Sequence, residues 1–227
     1  MMYKSIPSNP NARLTLLVLC LVLVLSACAP SAPNKAIDTV APGAVLFTDD
    51  FANPPSGWGT WNRDGASISY YAGGLRIQVN ETQHDYWSVT GKNFYDVQID
   101  VDAVKLNGPD DNDFGIVCRY VDAENFYALV ISSDGYYGIA KRKDGEYSMI
   151  GADTLQYSPA IGQGQAVNHL RADCTGSVLR LFANGEQLIE VEDSDLAYGD
   201  VGLLAGAYDS QGVDIYFDNF VVKKPGE

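Results

Sequence analysis

The sequence predicts an all-β sandwich of two antiparallel sheets. Three observations carry that expectation. From Val45 onward, short runs of alternating apolar and polar residues recur every eight to twelve residues. Gly, Asn and Asp separate them, as hairpin turns require. No window of helical length shows a 3.6-residue apolar period.

Each run reads as a strand in turn. VLFTDDF (45–51), SISYY (67–71) and LRIQVN (75–80) come first, followed by FYDVQIDVDAV (94–104), FGIVCRYV (114–121), FYALVIS (126–132) and YGIAKR (137–142). VNHLRAD (167–173), VLRLFA (178–183), QLIEVE (187–192), DVGLLAGAY (200–208) and VDIYFDNFVV (213–222) complete the set. Gly73-Gly74, Asp134-Gly135, Asp144-Gly145 and Asn184-Gly185 sit between consecutive runs, where type I′ turns need positive φ. A dozen such strands in about 180 residues fit one large sandwich rather than two domains. The first and last strands, LFTDDF and IYFDNF, share an aromatic-Asp-polar-Phe pattern. That likeness suggests that both ends of the domain lie together.

The segment before the sandwich is not fold. Lys4 and Arg13 form a basic n-region, and LTLLVLCLVLVL (14–25) is an apolar stretch of twelve residues, short for a bilayer span. Leu25-Ser26-Ala27-Cys28 resembles the lipobox of bacterial lipoproteins. The resemblance implies cleavage before Cys28, acylation of its thiol, and anchoring at the extracytoplasmic face of a membrane through lipid alone. The expected organisation is therefore a signal peptide over 1–27, an Ala/Pro-rich tether over 28–43 and a sandwich over 44–224. Removing Lys4 and Arg13 with the leader leaves 13 basic and 29 acidic residues, a net of −16. That charge argues against nucleic acid as a partner. Of the four cysteines, Cys20 falls in the apolar stretch and Cys28 in the lipobox, leaving Cys118 and Cys174 in the folded part. In an oxidising compartment two such cysteines suggest one disulfide; two buried thiols are the alternative.

The domain resembles the concanavalin A-like lectin/glucanase superfamily, and within it laminin G-like and 3-keto-disaccharide hydrolase-like domains. The residues that carry the likeness are FTDDFANPPSGW (47–58), FGIVCRYVDAENFYALVISSDGYYGI (114–139), NHLRADCTGSVLRLFANGEQLIEV (168–191), GDVGLLAG (199–206) and VDIYFDNFVV (213–222). They are framework motifs. They imply a jelly roll with one concave sheet and leave the activity open.

Three chemistries are candidates. Carbohydrate binding needs aromatic faces and planar polar groups; Trp58, Trp61, Trp87, Arg119, Tyr127 and Tyr137 are the candidate contacts. The expected partner is carbohydrate or a glycosylated surface partner, for a chain expected to be a monomer. Glycoside hydrolysis needs two carboxylates. Asp100 and Asp102 share a strand face about 7 Å apart, but Val104 or Lys105 stands where a glucanase-like third acid belongs. His84 and His169 have no nucleophile-elbow neighbour. A protein-binding sensor or structural domain is the third class, and a flat face without a groove would favour it. A structural calcium ion is the one cofactor the residues suggest. Asp50 with Asp218 would hold it at the junction of the end strands, or Asp111 with Asp113 in the acidic stretch NGPDDNDFG (107–115). That stretch lacks the EF-hand spacing and reads more simply as a solvated hairpin loop.

Overall fold

The computed structural model describes residues 40–226. Cys28, the signal segment and most of the tether lie outside them. Among the described residues there are sixteen strands and no helix. The first six are β1 (Val45–Asp49), β2 (Trp61–Arg63), β3 (Ala66–Tyr71), β4 (Gly74–Val79), β5 (His84–Phe94) and β6 (Val97–Asn107). Next come β7 (Asn112–Asp122), β8 (Asn125–Ile131), β9 (Tyr136–Lys143), β10 (Glu146–Ile150) and β11 (Gln156–Tyr157). The last are β12 (Asn168–Thr175), β13 (Val178–Ala183), β14 (Glu186–Glu192), β15 (Gly199–Ala207) and β16 (Val213–Lys223).

Two antiparallel sheets stack face to face. The nine-stranded sheet runs β14-β13-β12-β6-β16-β4-β3-β2. The seven-stranded sheet runs β10-β9-β8-β7-β15-β5, with β11 paired to the start of β9. β16 is the spine of the larger sheet. One edge pairs with β6; the other pairs with β4 through Val213–Phe217 and with β1 through Phe220–Lys223. The first and last strands are thus neighbours, as their matching sequences suggest. Gly43 N–H also donates to the Lys224 carbonyl at 2.9 Å.

Alternation explains the core. On β7 and β8, Phe114, Ile116, Cys118, Tyr127, Leu129 and Ile131 point inward and are buried. They meet Leu75, Ile77, Ile99, Val101, Ile215 and Phe217 from the larger sheet. The intervening residues of the smaller sheet form a second apolar layer on its other face: Val117, Phe126, Ala128, Val130, Ala140 and Leu204. Both faces of these strands are apolar, so their sequences read as near-continuous hydrophobic runs. The Cys118–Cys174 disulfide ties β7 to β12 across the sandwich, joining residues 56 apart in sequence.

Turn chemistry sets the hairpins. Asn184 and Asp144 both adopt positive φ (52° each), followed by Gly185 and Gly145 at 88° and 84°. Two successive left-handed residues are what a type I′ turn demands, and Asn and Asp tolerate that region better than most.

Four strands differ from the sequence expectation: β2, β5, β10 and β11 were not anticipated. The segment 94–104, read as one strand, is the end of β5, a turn, and most of β6. β5 is hard to see because polar residues, His84, Asp85, Ser88, Thr90, Lys92 and Asn93, dominate it.

Candidate functional site

A groove of about 1040 Å³ lies on the outer face of the seven-stranded sheet. Its apolar lining is Trp87, Met149 and Leu155, which pack on the second apolar layer. Met149 at the end of β10 and Leu155 in the loop beyond it fold over Gly138 to make one wall. The loop after β15, with Tyr208 and Asp209, makes part of another. Trp87 sits on the floor, 4.9 Å from the Phe126 ring. Arg142 reaches over Trp87, with its guanidinium carbon 6.0 Å from the indole. Tyr147, half exposed, borders the opening.

The polar centre of the groove comes from three adjacent strands. Asp85 of β5, Gly206 of β15 and Asp113 of β7 are in register, so they form one row across the sheet. Gly206 carries no side chain, and the two aspartates lean over it from either side. A methyl group on Gly206 would overlap Oδ1 of both Asp85 and Asp113. The two carboxylate oxygens therefore face each other across the space of a single methyl. Asp113 is 1% exposed, and its Oδ1 has no hydrogen-bond partner within the protein. Burial pushes the Asp113 carboxyl well above the ordinary carboxylate range, and the facing Asp85 adds to the shift. Asp85 is raised too, again chiefly by burial, while Arg142 pulls it back. Burial, reinforced by Asp113, also raises the Tyr208 phenol.

The residues singled out in the sequence fall in different places. Trp87, Asp111 and Asp113 line the groove. Trp58 is in the core, where its indole N–H donates to Asp49 at 2.9 Å. Trp61 packs edge-on against Tyr86 under the Arg63 guanidinium. Tyr127 is inside the sandwich, with its hydroxyl donating to Asp193 at 2.5 Å. Tyr137 is also buried there and reaches Gln156. Alternation puts Arg119 on the face of Val117, which suggests either the open sheet or a buried pair. It is 2% exposed, donating to the carbonyls of Leu196 (2.7 Å) and Gly176 (2.5 Å), with Asp96 3.8 Å from its guanidinium. The reason is local: Arg119 has φ of 53°, and the β7–β8 register shifts after Cys118, so strict alternation ends there.

Asp100 and Asp102 occupy the outer face of the opposite, nine-stranded sheet. Asp100 Oδ2 accepts from Lys223 (2.9 Å) and Gln98 (2.8 Å). Asp102 Oδ2 accepts from Asn219 at 2.9 Å, and its Oδ1 is 2.8 Å from His169 Nδ1. These carboxylates are capped by neighbours and do not reach the groove. At the junction of the end strands, Asp50 accepts from the Ala52 N–H and Asp218 from the Asn219 N–H. Asp110 pairs with Lys105, and Asn112 braces the 108–111 turn through Pro109 and Ser133. The rest of NGPDDNDFG is not a solvated loop, since Asn112 and Asp113 already belong to β7 and are buried. Among the described residues no three His, Cys, Asp or Glu side chains cluster as metal ligands.

Sequence reasoning missed Asp85, Arg142, Tyr147 and Tyr208. A signal was present for Asp85: it stands two residues before Trp87, so the two share a strand face.

No family model matches the chain, and no curated protein does. Solved structures do match. The carbohydrate binding module CBM66 from Bacillus subtilis superposes with a TM-score of 0.60 at 19% identity, over 74% of this chain and 96% of that one. The chain has a concanavalin A-like jelly-roll fold. A Bacillus subtilis protein of unknown function with a galectin-like fold matches at TM-score 0.58 and 14% identity, over 81% and 97%. The GH43 protein BlXynB from Bacillus licheniformis matches at 0.57 and 15%, over 78% of this chain but 39% of its own length. At these identities the likeness establishes the jelly roll; the chemistry has to be read from the groove.

Proposed function

We propose that this protein binds carbohydrate in the groove of the seven-stranded sheet, and that it does so outside the cell as a lipoprotein anchored through Cys28. The observation that carries the reading is the floor of the groove. A flat indole, Trp87, lies beside two carboxylates and a guanidinium. Such a site offers a stacking face for a sugar ring together with acceptors and donors for its hydroxyls. The existence of a carbohydrate binding module among the structural neighbours supports it.

Hydrolysis fits the groove less well. Retaining glycosidases hold their carboxyl groups about 5–5.5 Å apart, and inverting enzymes farther still, to flank the scissile bond. Asp85 and Asp113 converge over one glycine and leave no such gap. The capped Asp100–Asp102 pair faces away from the groove altogether.

The test is a glycan array followed by calorimetry on the full chain in detergent. A bound glycan is expected, and Trp87→Ala should weaken it at least about tenfold, the loss of roughly 1.4 kcal/mol of stacking. Absence of binding across plant, bacterial and animal glycans, or binding indifferent to Trp87, would refute the assignment.

A further inference from the structure

We infer that the ligand of this groove carries a protonated amine, as a hexosamine with a free amino group does, and that the ammonium sits between Asp85 and Asp113. This rests on the carbohydrate reading above and narrows it to a substrate class.

Charge comes first. The groove is lined by Asp85, Asp111, Asp113 and Asp209, against one guanidinium, that of Arg142. His84 lines it as well, but its Nδ1 is turned to the Thr82 carbonyl at 2.9 Å. Tyr147 and Tyr208 add only neutral phenols. An acidic site of this kind repels uronic acids, sulfated sugars and phosphates.

The second observation is independent of that count. Asp113 lines the groove, and its Oδ1, buried and unpartnered, faces Asp85 Oδ1 across Gly206. A buried carboxylate oxygen without a partner costs free energy that a ligand can recover. Two carboxyl groups across one methyl's space cannot both ionise without repelling each other, and a single positive group between them removes both costs. An alkylammonium has three donors, so it can satisfy both oxygens and keep one for water or a third acceptor. A neutral hydroxyl has one donor and can satisfy only one of the two.

The walls favour a sugar over a lysine side chain. Trp87 and the apolar shelf of Met149 and Leu155 give a broad flat lining in a volume far larger than one alkyl chain needs. A pyranose ring uses that area; a lysine stem does not.

The experiment compares three probes by calorimetry on the full chain at near-neutral pH and low salt. They are a β-1,4-linked glucosamine tetramer, the matching N-acetylglucosamine tetramer, and a lysine tetrapeptide. The glucosamine tetramer is expected to bind at least about tenfold tighter than its acetylated counterpart. Asp113→Asn, which keeps the shape and removes the charge, should abolish that preference. Asp85→Asn is the second variant, with the same expected result should the first fail to fold. Equal affinity for the two tetramers, a preference that survives both variants, or binding of the lysine peptide alone would each overturn the inference. If a neutral glycan binds through Trp87 and neither amine probe does, this inference falls while the carbohydrate reading stands. If no carbohydrate binds at all, both fall.

Discussion

At the scale of the residue, Asp113 is the most consequential side chain in the molecule. Its carboxyl titrates above the ordinary range because it is buried beside another acid. A carboxyl raised in the folded state binds its proton more tightly there than in the unfolded chain. Its contribution is therefore fully present below the unfolded pKa, about 3.9, and is lost as pH rises through the higher folded value. Asp113→Asn should thus melt at a higher temperature than the parent at neutral pH, and the difference should shrink steadily on acidification. Differential scanning fluorimetry of both proteins from pH 4 to 8 checks this, since the other titrating groups largely cancel in the difference. A constant offset across that range would show that the carboxyl is not strained by its surroundings. Of the residues proposed from sequence, Trp87 lines the groove because it is a large aromatic on a strand beside an acid. Arg119 was illegible for a physical reason. Its direction depends on one positive φ in a bulge, and period-two reasoning has no means to see that. Trp58 and Tyr127 illustrate the opposite limit: an aromatic with a polar tip can be completely satisfied inside a core, as their bonds to Asp49 and Asp193 demonstrate.

At the scale of the element, the site is a property of the register of three strands. Asp85, Gly206 and Asp113 are 28 and 93 positions from one another along the chain, and only the β5-β15-β7 pairing lines them up. Gly206→Ala would push a methyl into both carboxylates. The expected outcome is a destabilisation of about 1–3 kcal/mol from overpacking, with glycan binding reduced at least about tenfold. Urea denaturation and calorimetry measure the two separately; unchanged binding would show that the carboxylates can part freely. Strands with a clean apolar pattern, such as β8 and β13, were legible from sequence. β5 was not, because it lies at the edge of its sheet and faces solvent with polar residues along much of its length. The same polarity that concealed it is what supplies Asp85 to the groove.

At the scale of the whole molecule, the two-sheet sandwich was legible because hairpin turns, strand spacing and the matching end strands all reported the same architecture, while the jelly-roll form came from the resemblance of the framework motifs. The groove was not, since it is assembled from loops and side chains that converge only once the sheets have formed. The disulfide closes a long loop across the two sheets, and its removal by Cys118→Ala with Cys174→Ala should cost about 2–5 kcal/mol. Chemical denaturation of the double variant measures this, and a loss below that range would assign the cross-sheet hold to packing alone. Lipid anchoring is tested separately: Cys28→Ala should move the protein from the membrane to the soluble fraction on cell fractionation. Retention in the membrane would contradict acylation at that residue.

The pairing of β1 with the last residues of β16 has a further consequence. The chain enters and leaves the sandwich side by side, at Val45 and Lys223. The Asp85–Gly206–Asp113 row lies toward the opposite end, where β15 turns over into β16. β16 runs from Val213 to Lys223, ten residue steps, so that separation is about 33 Å along the strand. A reporter protein, a surface linker or a second copy of the domain can therefore be joined to either terminus without shading the carboxylates. The domain is built like a plug with both wires at the back, and strings of it could be assembled to raise avidity for a repeating polymer.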